Sequence, residues 1–116
     1  MENYVFILII VLFTIHEMDA IKTKEWKMFI FLKDIAEHKA YNIFLLAHIP
    51  IYLFLYYVIL NNWIMTYLVI DVLFIIHTII HFFFKKHKNN NFNTLLSKII
   101  IYSLGTLSLI HLFILI

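Results

Sequence analysis

The chain has 116 residues, which is enough for a single domain. Hydrophobic residues make up 64% of it and charged residues 14%, against about 45–50% and about 25% in soluble domains. A soluble core of this size cannot bury so many apolar residues, so the composition indicates a protein of the lipid bilayer. The formal net charge is only +2, which with this composition disfavours nucleic acid as a partner. The absence of cysteine excludes disulfides and thiolate chemistry.

Four apolar segments are each close to the ~20 residues that span a hydrocarbon core. They cover residues 4–20, 41–60, 63–84 and 95–116. Backbone polar groups in lipid must be satisfied within their own segment, so each segment is predicted to be a helix. The predicted fold class is therefore all-α, an integral membrane four-helix up-and-down bundle that forms a single domain over residues 1–116.

All nine basic residues are lysines, and they lie in or next to two of the three connections. They are Lys22, Lys24, Lys27, Lys33, Lys39, Lys85, Lys86, Lys88 and Lys98. In an up-and-down bundle the segments 21–40 and 85–94 share one side of the membrane with the first turn of the fourth helix. The positive-inside rule makes that side cytoplasmic. This predicts a multi-pass protein of the cytoplasmic (inner) membrane with both termini outside (N-out/C-out).

The first lysine-rich segment, IKTKEWKMFIFLKDIAEHKAYN, mixes apolar residues irregularly with lysines and acids. This pattern predicts a short interfacial helix between helices one and two, lying in the headgroup layer with Trp26 and Tyr41 as anchors. An irregular loop is the alternative. Glu25, Glu37 and His38 are expected to pair within this lysine-rich segment.

Several ionisable side chains fall inside the apolar segments, where each costs about 2.5–3.5 kcal/mol on insertion scales. With ~1.5 Å of rise per residue, five of them lie within about 12 Å of the cytoplasmic ends of their helices. These five are His16 and Asp19 on helix one, His48 on helix two, and His77 and His81 on helix three. The sequence therefore predicts one polar layer near the cytoplasmic face of the membrane.

The spacing within this layer is typical of a metal site. His77 and His81 are four residues apart and share a helix face, and His16 and Asp19 are three residues apart. Imidazoles with a carboxylate suit a divalent metal, zinc first and iron second, and we predict all five residues as ligands. Haem is disfavoured, because a single glycine leaves little room for a macrocycle. Alternatively, these side chains hydrogen-bond to one another and only hold the helices together.

Three further ionisable residues lie close to this layer or deeper. Glu17 follows His16 about 100° round the helix, where it could orient a ligand, act as a general base or reach the interface. Asp71 and His111 fall at ~21 Å and ~24 Å from the cytoplasmic ends of their helices. We expect these two to form a buried carboxylate–imidazole pair, with a proton or ion relay to the inner histidines as the alternative.

The stretches HEMDAIKTKEWKMF, LLAHIPIY and DVLFIIHTIIHFFFKKH together resemble small bacterial multi-pass membrane proteins of uncharacterised function. In that group a histidine and an acid close helix one, a Glu-Trp pair follows in the loop, and HxxxH lies in helix three. The chain is also distantly similar to the HxxEE family of membrane proteins, matching at His16 and Asp19 and departing at Ala20. The resemblance implies a membrane metal or catalytic site at the same five residues, and it brings no established reaction.

Three functions follow from this pattern. The leading hypothesis is a metal-dependent hydrolase acting on a lipid or amphiphile, in which Glu17 takes a proton from a metal-bound water whose pKa is lowered towards ~7. The second is an ion, proton or metal carrier, for which a 14 kDa unit would need to form a homodimer. The third is a non-catalytic structural or accessory membrane protein.

Overall fold

The structure, a computed structural model, describes residues 2–28, 34–86 and 94–116. Its main elements are α1 (Glu2–Thr23), α2 (Glu37–Asn61), α3 (Ile64–Phe83) and α4 (Leu95–Leu115). Two short 3-10 helices follow, Glu25–Met28 after α1 and Phe84–Lys86 after α3. All four α-helices are long and apolar enough to cross a membrane, and the described residues contain no strand. The described part of the chain is therefore helical, and its four long apolar helices indicate a multi-pass membrane protein.

Each apolar segment of the sequence lies within or overlaps one of these helices, but two helices extend further into the lysine-rich segment between them. α1 continues to Thr23, whose hydroxyl donates to the Asp19 carbonyl at 2.9 Å and satisfies an acceptor near the helix end. α2 already begins at Glu37. Much of the expected interfacial helix falls on residues 29–33, which lie outside the described residues.

Contacts between the helices show the relative direction of each helix. The C-terminal part of α1 contacts α2 at Glu17–His48 and the first turn of α4 at Asp19–Ser97. It also contacts the C-terminal part of α3 at His16–His77. Successive helices therefore run in alternating directions. The described lysines, Lys22, Lys24, Lys27, Lys39, Lys86 and Lys98, all belong to this end of the bundle. We refer to it as the lysine end.

The tightest packing is between α4 and its two neighbours, α1 and α3. The main core consists of Phe6, Ile9, Ile10, Phe13, Leu55, Val58, Tyr67, Ile70, Phe74, Ile101 and Leu104. α4 packs closely against Thr78 of α3 at Gly105, where an added Cβ would lie 2.6 Å from Thr78 Oγ1. Thr78 Oγ1 also donates to the Ile101 carbonyl at 3.2 Å. The single glycine of the chain thus permits a close helix contact.

α2 is held less closely than the other helices. Only four of its residues are buried, Ala40 and Phe44 near the lysine end and Leu55 and Val58 near the opposite end. Asn62 follows in the left-handed conformation, with φ of 52°, and its backbone N–H donates to the Val58 carbonyl. Because α2 contacts its neighbours mainly near its two ends, a groove stays open between α2 and α3 along its middle.

Candidate metal centre

Three histidines and one glutamate meet at the lysine end of α1 and α3. One ligand atom from each of His16, Glu25, His77 and His81 lies within 4.8 Å of all the others. The Nε2 atoms of His16 and His77 are 3.0 Å apart, and His81 Nε2 is 3.0 Å from Glu25 Oε1. Glu25 Oε1 is also 3.9 Å from His16 Nε2 and 3.7 Å from His77 Nε2. These four side chains are referred to below as the inner cluster.

The spacing of these atoms suits a tetrahedral ion. With metal–ligand bonds of ~2.0–2.1 Å, the ligand atoms of a tetrahedral zinc site lie about 3.3–3.4 Å from one another. The four distances given above, from 3.0 to 3.9 Å, fall on both sides of this value. Small side-chain adjustments would therefore let all four groups hold one metal ion.

Glu25 reaches the inner cluster because the chain reverses directly after α1. Lys24 adopts a left-handed conformation with φ of 54°, which is uncommon for a residue with a side chain. The 3-10 helix Glu25–Met28 then turns back beneath the end of α1. Trp26 fixes this turn, since its buried indole packs against Phe44 and Tyr41 of α2. Glu25 is only 3% exposed as a result.

The surrounding histidines keep Glu25 ionised. Burial by itself would raise the pKa of this carboxyl group. Hydrogen bonding with His16 and His81, together with the charges of His16 and His77, outweighs burial and holds the pKa of Glu25 well below its usual range. The inner cluster thus contains a permanent negative charge among imidazoles, which is an arrangement that favours a bound cation.

Glu17 and His48 form a second carboxylate–histidine pair beside the inner cluster. His48 Nε2 contacts Glu17 Oε2, while His48 Nδ1 donates to the Phe44 carbonyl. Because Nδ1 already carries a proton, the contact between Nε2 and the carboxyl group requires a further proton shared by the two residues. The other carboxyl oxygen, Glu17 Oε1, lies 3.9 Å from His16 Nε2. The pair can therefore accept or release a proton next to the inner cluster.

Asp19 faces α4 and does not contribute to the inner cluster. Its Oδ2 accepts a hydrogen bond from Ser97 Oγ at 2.5 Å, and Ser97 Oγ in turn accepts one from Thr94 Oγ1 at 2.8 Å. Thr94 also caps α4 by accepting from the Ser97 backbone N–H. The Asp19 carboxylate thus lies at the N-terminus of α4, where the helix dipole stabilises a negative charge.

Of the five ligands predicted from sequence, the structure brings three together and places two elsewhere. His16, His77 and His81 belong to the inner cluster, whereas His48 pairs with Glu17 and Asp19 with Ser97. Glu25 is the ligand candidate that sequence reasoning missed. The expectation that it pairs within the lysine-rich segment is wrong for Glu25, which contacts His81 of α3, although Glu37 does form an ion pair with Lys24.

The groove between α2 and α3 leads to these polar groups. It has a volume of about 640 Å³, and apolar side chains form nearly all of its wall. Glu17, Glu25, His48 and His77 line it in the half nearer the lysine end. His16 and His81 are almost fully buried, but the His77 side chain keeps 28% of its surface exposed. The inner cluster is therefore accessible from the groove through His77.

Asp71 and His111 form the expected buried pair in the other half of the bundle. Both side chains are fully buried, and His111 Nδ1 lies 2.7 Å from Asp71 Oδ2. On α3, Phe74 lies one turn from Asp71 and one turn from His77, and its ring stacks on Phe13 at 4.8 Å. An aromatic layer thus lies between the pair and the inner cluster.

Comparison with known proteins identifies the family. Residues 2–116 match the family of unknown function DUF6713. The chain belongs to this family. No curated protein and no solved structure matches the chain. DUF6713 is a family of unknown function, and the distant similarity to the HxxEE family stays a prediction.

Proposed function

We propose that this DUF6713 protein is a membrane metalloprotein that hydrolyses a lipid or other amphiphile. The observation that carries the proposal is the convergence of four ligand atoms within 4.8 Å, contributed by His16, Glu25, His77 and His81. Buried ionisable groups in a membrane are costly and are retained where they have a role. A divalent cation would offset the charge of Glu25 and use the lone pairs of all three imidazoles.

Zinc is the metal that this ligand set fits best. Three imidazole nitrogens and one carboxylate oxygen are donor atoms that zinc prefers, with iron as the second choice, and a coordinated water would be a fifth ligand, a number that catalytic zinc sites can reach. Glu25 replaces Asp19 and His48, which the sequence pattern predicted, as the proposed ligand beside the three histidines. Those two residues remain close enough to support the site, His48 through its contact with Glu17 and Asp19 by fixing α4 against α1.

The Glu17–His48 pair is the proposed proton acceptor of the reaction. A bound metal would lower the pKa of a coordinated water towards ~7. Glu17, whose Oε1 is 3.9 Å from His16 Nε2, is placed to take a proton from a water entering from the groove. As the water oxygen bonds to the acyl carbon of an ester and the ester C–O bond breaks, the proton held by the pair passes to the leaving alcohol.

The site is proposed to lie at the cytoplasmic leaflet of the inner membrane. The described lysines are at the same end of the bundle as the inner cluster, and the positive-inside rule assigns that end to the cytoplasm. Both termini would then be outside. A hydrolase with this orientation would act on amphiphiles of the inner leaflet.

The competing functions find less support in the packing. A carrier that used Asp71 and His111 as its outer step would need a polar path past Phe13 and Phe74, whose rings stack in the described core. A purely structural role explains the Asp71–His111 pair, which is closed and fully buried. It does not explain why His77 of the inner cluster opens onto a groove.

Elemental analysis of the purified protein tests the metal assignment. Wild-type protein in detergent is expected to hold close to one equivalent of zinc or iron, and the double variant His77→Ala/His81→Ala is expected to hold none. His38→Ala is the matched control, because His38 is an exposed histidine of the same chain. Equal metal contents in the double variant and the control would overturn the assignment.

A second experiment separates the metal site from hydrolysis. Glu17→Gln removes the proton acceptor but none of the proposed ligands, so metal content should be retained. Hydrolysis of p-nitrophenyl fatty acyl esters in mixed micelles should fall by about 10²–10⁴, the usual contribution of a general base. If the metal-loaded wild type shows no turnover above free zinc on these esters or on phospholipids, the hydrolase proposal fails and the metal site alone remains.

A further inference from the structure

We propose that the groove between α2 and α3 binds one acyl chain of an anionic lipid, with the headgroup at the lysine end and the tail pointing towards the opposite end. The inference rests on the proposed function for its chemistry, since it names the substrate class of the same site. The inferred position of the lipid depends only on the groove. The groove volume of about 640 Å³ lies within the ~300–1,000 Å³ of ligand pockets.

The groove has a polar portion and an apolar portion in a fixed order. On α2 the lining runs from Ile43 through Ala47 and His48 to Leu55, and on α3 it runs in the opposite sense from Ile80 through His77 to Ile70. Helical rise places Leu55 about 10 Å beyond His48, and Ile70 about 10 Å beyond His77. An extended octyl to decyl chain has this length, so a lipid can place its acyl carbonyl at the polar groups and its tail in the apolar part.

The surroundings of the groove determine its occupant. Exposed apolar residues such as Phe54 and Leu73 line it at a depth where the solvent is hydrocarbon, because α2 and α3 cross the membrane. A lipid tail entering from the bilayer loses no hydrophobic stabilisation and gains packing against both helices. An amphiphile whose tail fills the groove would also place its acyl carbonyl beside His77.

Charge complementarity selects the headgroup. Lys39 is exposed and lies one turn before the lining residue Ile43 on the same face of α2, so it belongs to the end of the groove nearer the polar groups. Lys86 and Lys27 belong to the same end of the bundle. Lysines near a membrane surface attract anionic lipids by about 1 kcal/mol each. An anionic phospholipid is therefore preferred to a zwitterionic one.

Photocrosslinking in proteoliposomes tests the inference. The probes are phosphatidylglycerol and phosphatidylcholine with decanoyl chains, each with a diazirine either near the acyl carbonyl or near the tail end, in vesicles of phosphatidylglycerol and phosphatidylcholine. We expect the carbonyl-end probe to label around Ala47 and His77 and the tail-end probe to label around Leu55 and Leu73. Phosphatidylglycerol should label more than phosphatidylcholine, and Lys39→Gln should reduce the difference.

Two pairs of variants make the mapping specific. Ala47→Phe fills the groove beside His48 and should abolish groove labelling, whereas Leu46→Phe, at an exposed neighbouring position outside the groove lining, should leave it unchanged. Leu73→Trp shortens the groove and should remove tail-end labelling while carbonyl-end labelling persists. Val72→Trp is its control, since Val72 is exposed but outside the lining.

The outcomes separate this inference from the proposed function. Groove labelling that persists in the metal-free His77→Ala/His81→Ala variant, with no hydrolysis in wild type, would support the lipid site and reject the enzyme. Metal retention with labels spread evenly over the exposed helix faces would overturn the groove inference and leave the metal site standing. Crosslinks between two copies of the chain at the groove would also overturn it, because a helix of a second molecule would then be the occupant.

Discussion

The bundle contains two buried arrangements of histidine and carboxylate that differ in their access to the surroundings. Asp71 and His111 lie within the packed core between α3 and α4, and both side chains are fully buried. The inner cluster lies between α1, α3 and the turn after α1, and its His77 faces a groove that opens to the bilayer. Histidine and carboxylate groups therefore form a buried, inaccessible pair in one half of the bundle and an accessible cluster in the other half.

The difference follows from the number of partners in each place. A single imidazole and a single carboxylate can pair one to one through a short hydrogen bond, and Asp71 and His111 form such a bond at 2.7 Å. In the inner cluster three imidazoles surround the single Glu25 carboxylate, and one ligand atom from each of the four side chains lies within 4.8 Å of all the others. The inner cluster therefore has the number and spacing of ligand atoms that a cation could use, whereas the pair joins α3 to α4.

The largest effect is expected from breaking the closed pair. His111→Leu leaves Asp71 buried without its partner, and removing one member of a buried ion pair costs about 3–5 kcal/mol. The free energy of unfolding, measured by steric trapping in bicelles, should fall by this amount while the bound metal is retained. Adding Asp71→Leu should recover much of the loss, because two apolar residues leave no buried charge. Loss of metal in His111→Leu would show that the two regions are coupled.

Gly105→Ala should separate α3 from α4, the two helices that hold the Asp71–His111 pair. The new Cβ would lie 2.6 Å from Thr78 Oγ1 and 2.8 Å from Thr78 Cβ, and a β-branched side chain cannot move aside readily. Overpacking of this kind costs about 1–3 kcal/mol. Thermal unfolding in detergent would report the loss. Ser103→Ala, on a partly buried position of the same helix, is the control, and equal midpoints for the two variants would contradict the proposed close contact.

The sequence could predict depth but not the rotation of each helix. Hydropathy located the four helices, and counting residues placed His16, His77 and His81 at one level. Whether a side chain at that level points to a shared centre depends on how the helix is turned by packing. Asp19 is only one turn from His16, yet it faces Ser97 of α4. His48 reaches the correct level and meets Glu17 first.

Glu25 could not be found by the same reasoning, because it lies after the helix has ended. Its position depends on the left-handed Lys24 and on the burial of Trp26 between α1 and α2, and neither feature has a periodic pattern. The one available signal was the Glu-Trp pair itself. A tryptophan that packs against α2 brings the preceding acid under the end of α1.

Glu25→Gln tests whether the carboxylate belongs to the inner cluster. The amide keeps the shape of the side chain but removes the negative charge, which the low pKa of Glu25 keeps in place at any physiological pH. Metal affinity should fall at least about 10–100-fold, as for loss of a supporting carboxylate, and by more if Glu25 is a direct ligand. Competition with a fluorescent zinc chelator measures this change. An unchanged metal affinity would show that an acid other than Glu25 supplies the carboxylate of the metal site.

Asp19→Asn is the matched counterpart and carries the smallest expected effect. The substitution keeps a hydrogen-bonding oxygen for Ser97 and removes only the charge at the N-terminus of α4, which is worth about 0.3–1 kcal/mol. Stability should therefore decrease slightly and metal affinity should not change. The two isosteric substitutions together decide between the ligand set of the sequence pattern and that of the structure. If Asp19→Asn lowers metal affinity while Glu25→Gln does not, α1 must rotate when the ion binds, so that Asp19 leaves Ser97 and turns towards His16.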